Sequence, residues 1–185
     1  MYNTVRVIQS ETNLLLKALS FAAYKHRHHC RKGIKPIPYI NHPIAVADLL
    51  VRTANIRDPE TIAAALLHDT VEDTDTTLAE LDKEFGPAIS QLVAELSDDK
   101  SLPPEERKRR QLEHASSLSH RAREIKLCDK ISNLRDVIED PPPGWSLERK
   151  QQYFDWAKSV VDKIRGANDE LENAFDEMFA KRPKN

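Results

Sequence analysis

The placement of proline does most to limit how this chain can fold. There are 11 prolines and only 4 glycines, and the prolines fall between helix-like stretches. Asp58-Pro59-Glu60 reads as a helix start, with Asp as N-cap and Pro at the first helical position. Pro43 suits the first turn of a helix carrying Ile44, Val46, Ala47, Leu49, Leu50 and Val51. Gly86 ends one helix and Pro87 starts the next, which carries Ile89, Leu92, Val93 and Leu96. Thr77-x-x-Glu80 has the form of a capping box. Pro141-Pro142-Pro143-Gly144 forbids helix continuation. Between these marks, residues 10–29 form a first amphipathic helix with Leu14, Leu15, Leu19, Ala22 and Ala23 as its apolar stripe. A loop follows at 30–42, punctuated by Gly33, Pro36 and Pro38. The helix after Pro59 runs into His68-Asp69. Residues 104–119, 121–139, 147–165 and 167–181 supply further helices. No stretch shows strand alternation, repeat or low complexity. The expectation is an all-α, compact multi-helical fold in a single domain over residues 1–185, with too many short helices for an up-down four-helix bundle.

Length and charge narrow the function. The chain has 185 residues, enough for one sizeable core. Lys and Arg total 28 against 30 Asp and Glu, a formal net charge of -2, which argues for neither a nucleic acid nor an anionic membrane as partner. The N-terminus lacks the apolar core of a signal peptide, and no apolar run is long enough to span a bilayer. A cytoplasmic location is the expectation. Cys30 and Cys128 form no CxxC pair, so neither a disulfide framework nor a zinc knuckle is expected.

The chemistry gathers in Ala63-Ala64-Ala65-Leu66-Leu67-His68-Asp69-Thr70-Val71-Glu72-Asp73-Thr74. This stretch begins as an apolar helix and ends in four groups that bind metal or move protons. On a continuous helix Glu72 lies one turn beyond His68, and Asp73 one turn beyond Asp69. Unpaired charges are costly at the end of a buried helix, and a divalent cation would compensate them. His42 lies after a proline-rich loop, and Asp129 lies in Ile125-Lys126-Leu127-Cys128-Asp129-Lys130-Ile131-Ser132-Asn133. Two imidazoles and two carboxylates from three helical regions can enclose one ion. Mixed nitrogen and oxygen ligands suit Mn²⁺, Fe²⁺ or Zn²⁺. Glu72 and Asp73 are then placed to orient or deprotonate an attacking water.

Each piece alone has a plainer reading. Asp129 can pair with Lys126 or Lys130. Tyr153 and Trp156 can be core, and Tyr39 can pack its loop. His26, His28 and His29 read as a solvated helix end. Arg107-Lys108-Arg109-Arg110, set among Glu105, Glu106 and Glu113, reads as a solvated face, with a phosphate-facing role open for part of it. Cys128 reads as a small core residue.

The combination resembles a family. His42, His68-Asp69 and Asp129 follow the pattern of the HD-domain metal phosphohydrolases. More narrowly, Tyr39-Ile40-Asn41-His42-Pro43 and His68-Asp69-Thr70-Val71-Glu72-Asp73-Thr74 resemble the small stand-alone alarmone hydrolases of the Mesh1 type, relatives of the hydrolase domain of RelA/SpoT enzymes. His26-Arg27, Arg31-Lys32, Asp98-Asp99-Lys100, Asn133-Leu134-Arg135-Asp136 and Tyr153-Phe154-x-Trp156 extend the likeness over nearly the whole chain. Two departures stand out: Cys128 where relatives carry a small Ala, and a loop before His42 about two residues longer than in the bifunctional enzymes.

The resemblance implies an HD-domain fold and removal of the 3′-pyrophosphate of guanosine tetra- or pentaphosphate. It implies one Mn²⁺ held by His42, His68, Asp69 and Asp129, with Glu72 and Asp73 as the catalytic acidic pair. Arg31, Lys32, Tyr39, Lys100, Asn133, Arg135 and Tyr153 match positions suited to contact the substrate. No synthetase domain follows residue 185, so degradation without synthesis is the expectation. Two other readings stand beside this one: an NADPH 2′-phosphatase or other HD-type nucleotide phosphohydrolase, and a non-catalytic alarmone-binding module.

Overall fold

The structure is a computed structural model that describes residues 2–184. Among the described residues it is helical with no named strand, and an isolated bridge pairs Cys30 with Pro38. No helix of the described residues is long and apolar enough to cross a membrane.

The first helix, α1 (Tyr2–Lys25), starts earlier and stops sooner than its sequence suggests. No proline or glycine precedes Gly33, so nothing delays its start. It ends because the chain reverses at His26–His29: the His29 N–H donates to the His26 carbonyl at 2.9 Å, and the Tyr39 N–H to the His29 carbonyl at 2.9 Å. The reversal brings the proline-rich loop back to start α2 (Asn41–Arg52).

Helix α3 (Pro59–Leu67) is the centre of the core. Asp58 caps it by accepting from the Thr61 N–H at 3.1 Å, with Pro59 in the first turn. Residues Thr61 through Leu67 are all buried. A helix that is apolar all round belongs in the interior. Its Ala63, Ala64 and Ala65 are small, as are Ala18 and Ala22 of α1, and all five are fully buried where these helices pack. The regular helix stops at Leu67, one residue short of the His-Asp pair. Side chains compete there for backbone carbonyls: His68 Nδ1 donates to Ala65 O at 2.8 Å and Thr70 Oγ1 to Leu67 O at 2.7 Å. The chain resumes as α4 (Thr70–Asp73).

Thr77 caps α5 (Leu78–Phe85) through the Glu80 N–H at 3.1 Å, but the Glu80 carboxylate turns to Lys25 instead of closing a capping box. Gly86, at φ 86°, separates α5 from α6 (Pro87–Leu96). That left-handed backbone suits glycine. The helix expected over 104–119 is shorter: α7 (Pro104–His114) passes into a 3₁₀ turn at Ala115–Ser117. Ser119 then caps α8 (His120–Glu139). Capped by Ser146 and Asn168, α9 (Leu147–Val161) and α10 (Asp169–Ala180) complete the fold. Helix α8 packs against α2, α3, α6, α9 and α10. Its Ile125, Leu127, Cys128 and Leu134 are fully buried, and each such leucine is worth about 1.5–3 kcal/mol in transfer free energy. Burial of Cys128 fits the small-core reading and pushes its thiol pKa up.

Candidate metal centre and substrate cavity

Three packed elements bring four ligand-type side chains together. His42 sits in the first turn of α2, His68 and Asp69 in the break after α3, and Asp129 in the middle of α8. Nitrogen or oxygen atoms of His42, His68 and Asp69 lie within 4.8 Å of one another. Asp129 Oδ1 is 3.2 Å from His42 Nε2 and 3.9 Å from His68 Nε2. Asp69 Oδ2 is 3.5 Å from His42 Nε2 and 3.1 Å from His68 Nε2. Ligands about 2.1 Å from one octahedral ion stand about 3.0–4.2 Å apart, so these spacings fit a shared cation.

Hydrogen bonding supports the same reading. His68 Nδ1–H is spent on Ala65 O, and His42 Nδ1 lies 3.1 Å from Ser132 Oγ. The Ala65 carbonyl can only accept, so His68 Nδ1 carries the proton and His68 Nε2 is left as a lone pair, while Ser132 orients the His42 ring. His68 Nε2 is buried and has no hydrogen-bond partner. Two imidazole Nε2 atoms facing two carboxylates suit a positive charge between them. Without a cation a proton serves: burial lowers the His68 pKa, but Asp69 and Asp129 outweigh it and hold it at about 9. Burial favours protonated Asp69 and Asp129. It is overcome by His68 at Asp69 and by Lys130 and His42 at Asp129, so both carboxyls lie below the usual range. The donor set fits a divalent metal.

Glu72 and Asp73 stand beside this cluster with different partners. Burial, then the charges of Asp98, Asp69 and Asp73, push Glu72 up to about 7. Its carboxylate accepts from the Asp98 N–H at 3.3 Å and faces Arg107 Nη1 at 3.4 Å. Asp73 is paired with Lys100.

The other expected residues line one cavity of about 1400 Å³. Arg31 is anchored on α8 by Asp136 Oδ2 and Asn133 Oδ1, each at 2.7 Å. Asn133 donates in turn to Asp129 Oδ1 at 2.5 Å. The loop bearing Arg31 and Lys32 is clamped by Asp140, which accepts from the Ile34 and Lys35 N–H groups at 3.0 and 3.1 Å. Gly33 lies so close that a Cβ there would collide with the Asp140 carboxylate. Tyr39 donates to Asp69 Oδ2 at 2.6 Å, and burial with the facing Asp69 and Asp73 raises its pKa. Lys32, Lys100 and Arg135 also border the cavity. Tyr153 lies between Trp145 and Trp156, with ring centroids 5.5 and 5.4 Å away, so this aromatic group is cavity wall as well as packing.

One expectation is corrected. His26 is not part of a solvated helix end: it is 2% exposed and stacks on Tyr39, with ring centroids 4.6 Å apart. Burial pushes its pKa down to about 4. The chain reversal after Lys25 turns it inward, while His28 stays exposed. The plainer reading of Asp129 holds in part, since it pairs with Lys130 and not with Lys126, but the cavity roles of these lysines and of Ser132 escape the sequence reading. Lys130 is buried, 3.3 Å from Asp129 Oδ2 and under the Trp156 ring. Lys126 is buried with its ammonium on Leu96 O at 3.2 Å, and Ser132 orients His42. A signal was available: Lys126, Asp129, Lys130 and Asn133 are spaced as one helix face, a polar stripe on a helix otherwise bound for the core.

A chain with this fold and this His/Asp cluster falls in the class of HD-domain proteins, and the HD domain profile matches residues 18–153. The human guanosine-3′,5′-bis(diphosphate) 3′-pyrophosphohydrolase MESH1 is 51% identical over 173 residues, covering 94% of this chain and 97% of that protein. The zebrafish (Danio rerio) protein of the same name is 50% identical, covering 94% and 96%. A solved structure of a metazoan ortholog of SpoT, described as hydrolysing ppGpp, superposes with a TM-score of 0.89 at 49% identity, over 91% of this chain and 95% of that one. The chain therefore belongs to the HD-domain family and, within it, to the MESH1 group. The HD domain implies a divalent metal.

Proposed function

We propose that this protein hydrolyses the 3′-pyrophosphate of guanosine tetraphosphate or pentaphosphate, releasing pyrophosphate and GDP or GTP. The observation that carries the reading is the convergence of His42, His68, Asp69 and Asp129 beside Glu72 in a cavity large enough for a nucleotide. The names of relatives about 50% identical over nearly full length support it.

In this reading His42, His68, Asp69 and Asp129 hold one Mn²⁺, which mixed nitrogen and oxygen ligands suit. When bound, such an ion supplies Lewis acidity and a water that is nucleophilic near neutral pH. The chain's own residues do the rest. Glu72, whose carboxyl burial holds above its usual range, exchanges a proton with the attacking water at its carboxylate oxygens; a group with a pKa nearer working pH does this best. Asp73 holds Lys100 at the cavity edge, where its ammonium meets phosphate. Arg31, fixed by Asp136 and Asn133, presents a guanidinium to the polyphosphate, with Lys32 and Arg135 beside it. Tyr39 and Tyr153 contact base or ribose. Small-molecule substrate, one ion and a single catalytic domain complete the reading.

Turnover of guanosine tetraphosphate by chelator-stripped protein, then with Mn²⁺ restored and NADPH run in parallel, tests it. Pyrophosphate and GDP appearing only with metal is the expected result. Phosphate released from NADPH without alarmone turnover would move the function to a 2′-phosphatase. Turnover of neither would leave a binding role.

A further inference from the structure

Helix α7 differs from every other helix around the cavity. None of its residues is buried. Its outer face is self-contained: Arg109 pairs with Glu106 at 2.6 Å and with Glu113, and Arg110 pairs with Glu106 at 3.1 Å. Pairs three and four residues apart stabilise a helix without help from a core. What fastens α7 to the protein is slight. Leu112 makes a partly buried apolar contact. The polar contacts of its inner face land on site and cavity residues. Arg107 Nη1 reaches Glu72 Oε1 at a long 3.4 Å. Gln111 donates to Asp98 and accepts from Lys130 Nζ at 3.2 Å. The Lys108 carbonyl accepts from Trp156 Nε1 at 3.4 Å.

Arg107 is also incompletely used. Its Nε–H is buried and donates to nothing. A buried donor without an acceptor is costly and points to a group that arrives later. Guanidinium binds phosphate oxygens in a two-pronged manner, using Nε and Nη together. Its present partner occupies a single prong at long range.

We propose that α7 is a lid, and that Arg107 exchanges the Glu72 carboxylate for a phosphate oxygen when a polyphosphate nucleotide enters. This rests on the reading of the cavity as a polyphosphate site. The exchange does two things at once. It satisfies the idle Nε–H and fastens α7 over the ligand through Arg107, with Lys108 beside it. It also frees Glu72 from its cationic partner at the moment the substrate is in place.

The test is hydrogen exchange, read by mass spectrometry over residues 104–114 of the Mn²⁺-loaded protein, with and without inorganic pyrophosphate as probe. Wild-type exchange is expected to start faster than that of α8 and to slow several-fold with the probe. Arg107→Gln should lose that slowing and raise KM for guanosine tetraphosphate roughly tenfold or more, with a smaller change in kcat. Arg110→Gln, altered on the outer face, should respond to the probe as wild type does. Exchange in 104–114 that is slow from the outset and indifferent to pyrophosphate would overturn the lid. Equal slowing in wild type and Arg107→Gln would overturn the role of Arg107. Absence of alarmone turnover alongside a retained exchange response would fault the substrate assignment and still support the lid.

Discussion

Helices α7 and α8 both wall the cavity and are held in opposite ways. Helix α8 is packed on five neighbours and buries Lys126, Asp129 and Lys130 along with its apolar stripe. Helix α7 has no fully buried residue and leans on the site itself. The difference separates two tasks. A metal centre needs ligands fixed to within fractions of an ångström, and a core-packed helix supplies that. A cavity that admits and releases a large charged ligand needs one wall that yields, and lightly held elements are where proteins move.

The largest expected effect lies on the rigid side. Asp129→Ala should lower Mn²⁺-dependent turnover by roughly a thousandfold or more while leaving helicity near wild type by circular dichroism. Asp69→Ala should behave alike, and normal turnover by either variant would break the ligand assignment. Leu127→Ala on α8, fully buried, should cost about 2–5 kcal/mol in urea unfolding. Leu112→Ala on α7 should cost under about 1 kcal/mol; equal losses would dissolve the contrast between the two helices.

Glu72 gives a pH test. Its carboxyl, raised from 4.5 to about 7, binds a proton more tightly folded than unfolded. Below pH 4.5 both states are protonated and nothing changes. Between 4.5 and 7 the unfolded chain ionises first, so this group's contribution to stability falls as pH rises, and above 7 the full cost is present. In chelator, Glu72→Gln should raise stability on the order of 2 kcal/mol well above pH 7 and have little effect below pH 4.5. Denaturant midpoints at the two pH values decide it, and a gain at low pH alone would contradict the burial argument. Smaller again is Tyr39→Phe, which removes the donor to Asp69. Competition with a calibrated chelator should show Mn²⁺ held about tenfold more weakly; unchanged affinity would mean the hydroxyl does not orient the ligand.

Local chemistry was legible in the residues. Asp58-Pro59, Thr77 and Gly86-Pro87 mark real helix ends, and the all-α class follows from the punctuation. Two things were not legible. His26 looks like a charged helix tail until the chain reverses and stacks it on Tyr39, a contact set by the turn and not by helical period. The end of α7 at His114 leaves no proline or glycine in the sequence to mark it. Among site residues, His68-Asp69 and Glu72-Asp73 announce themselves by clustering. Ser132 and Asp136 owe their place to partners brought in by tertiary packing, as in the span from Arg31 to Asp136; Lys130 is legible as the neighbour of Asp129 and gains Trp156 and Gln111 only in the fold.

The chain contains 2 tryptophans, Trp145 and Trp156, and both border the cavity on either side of Tyr153. All of this protein's indole emission therefore originates in the wall of one site. Excitation selective for tryptophan reads that wall with no background from elsewhere in the fold, so a nucleotide entering the unlabelled protein reports its own arrival as a change in intensity.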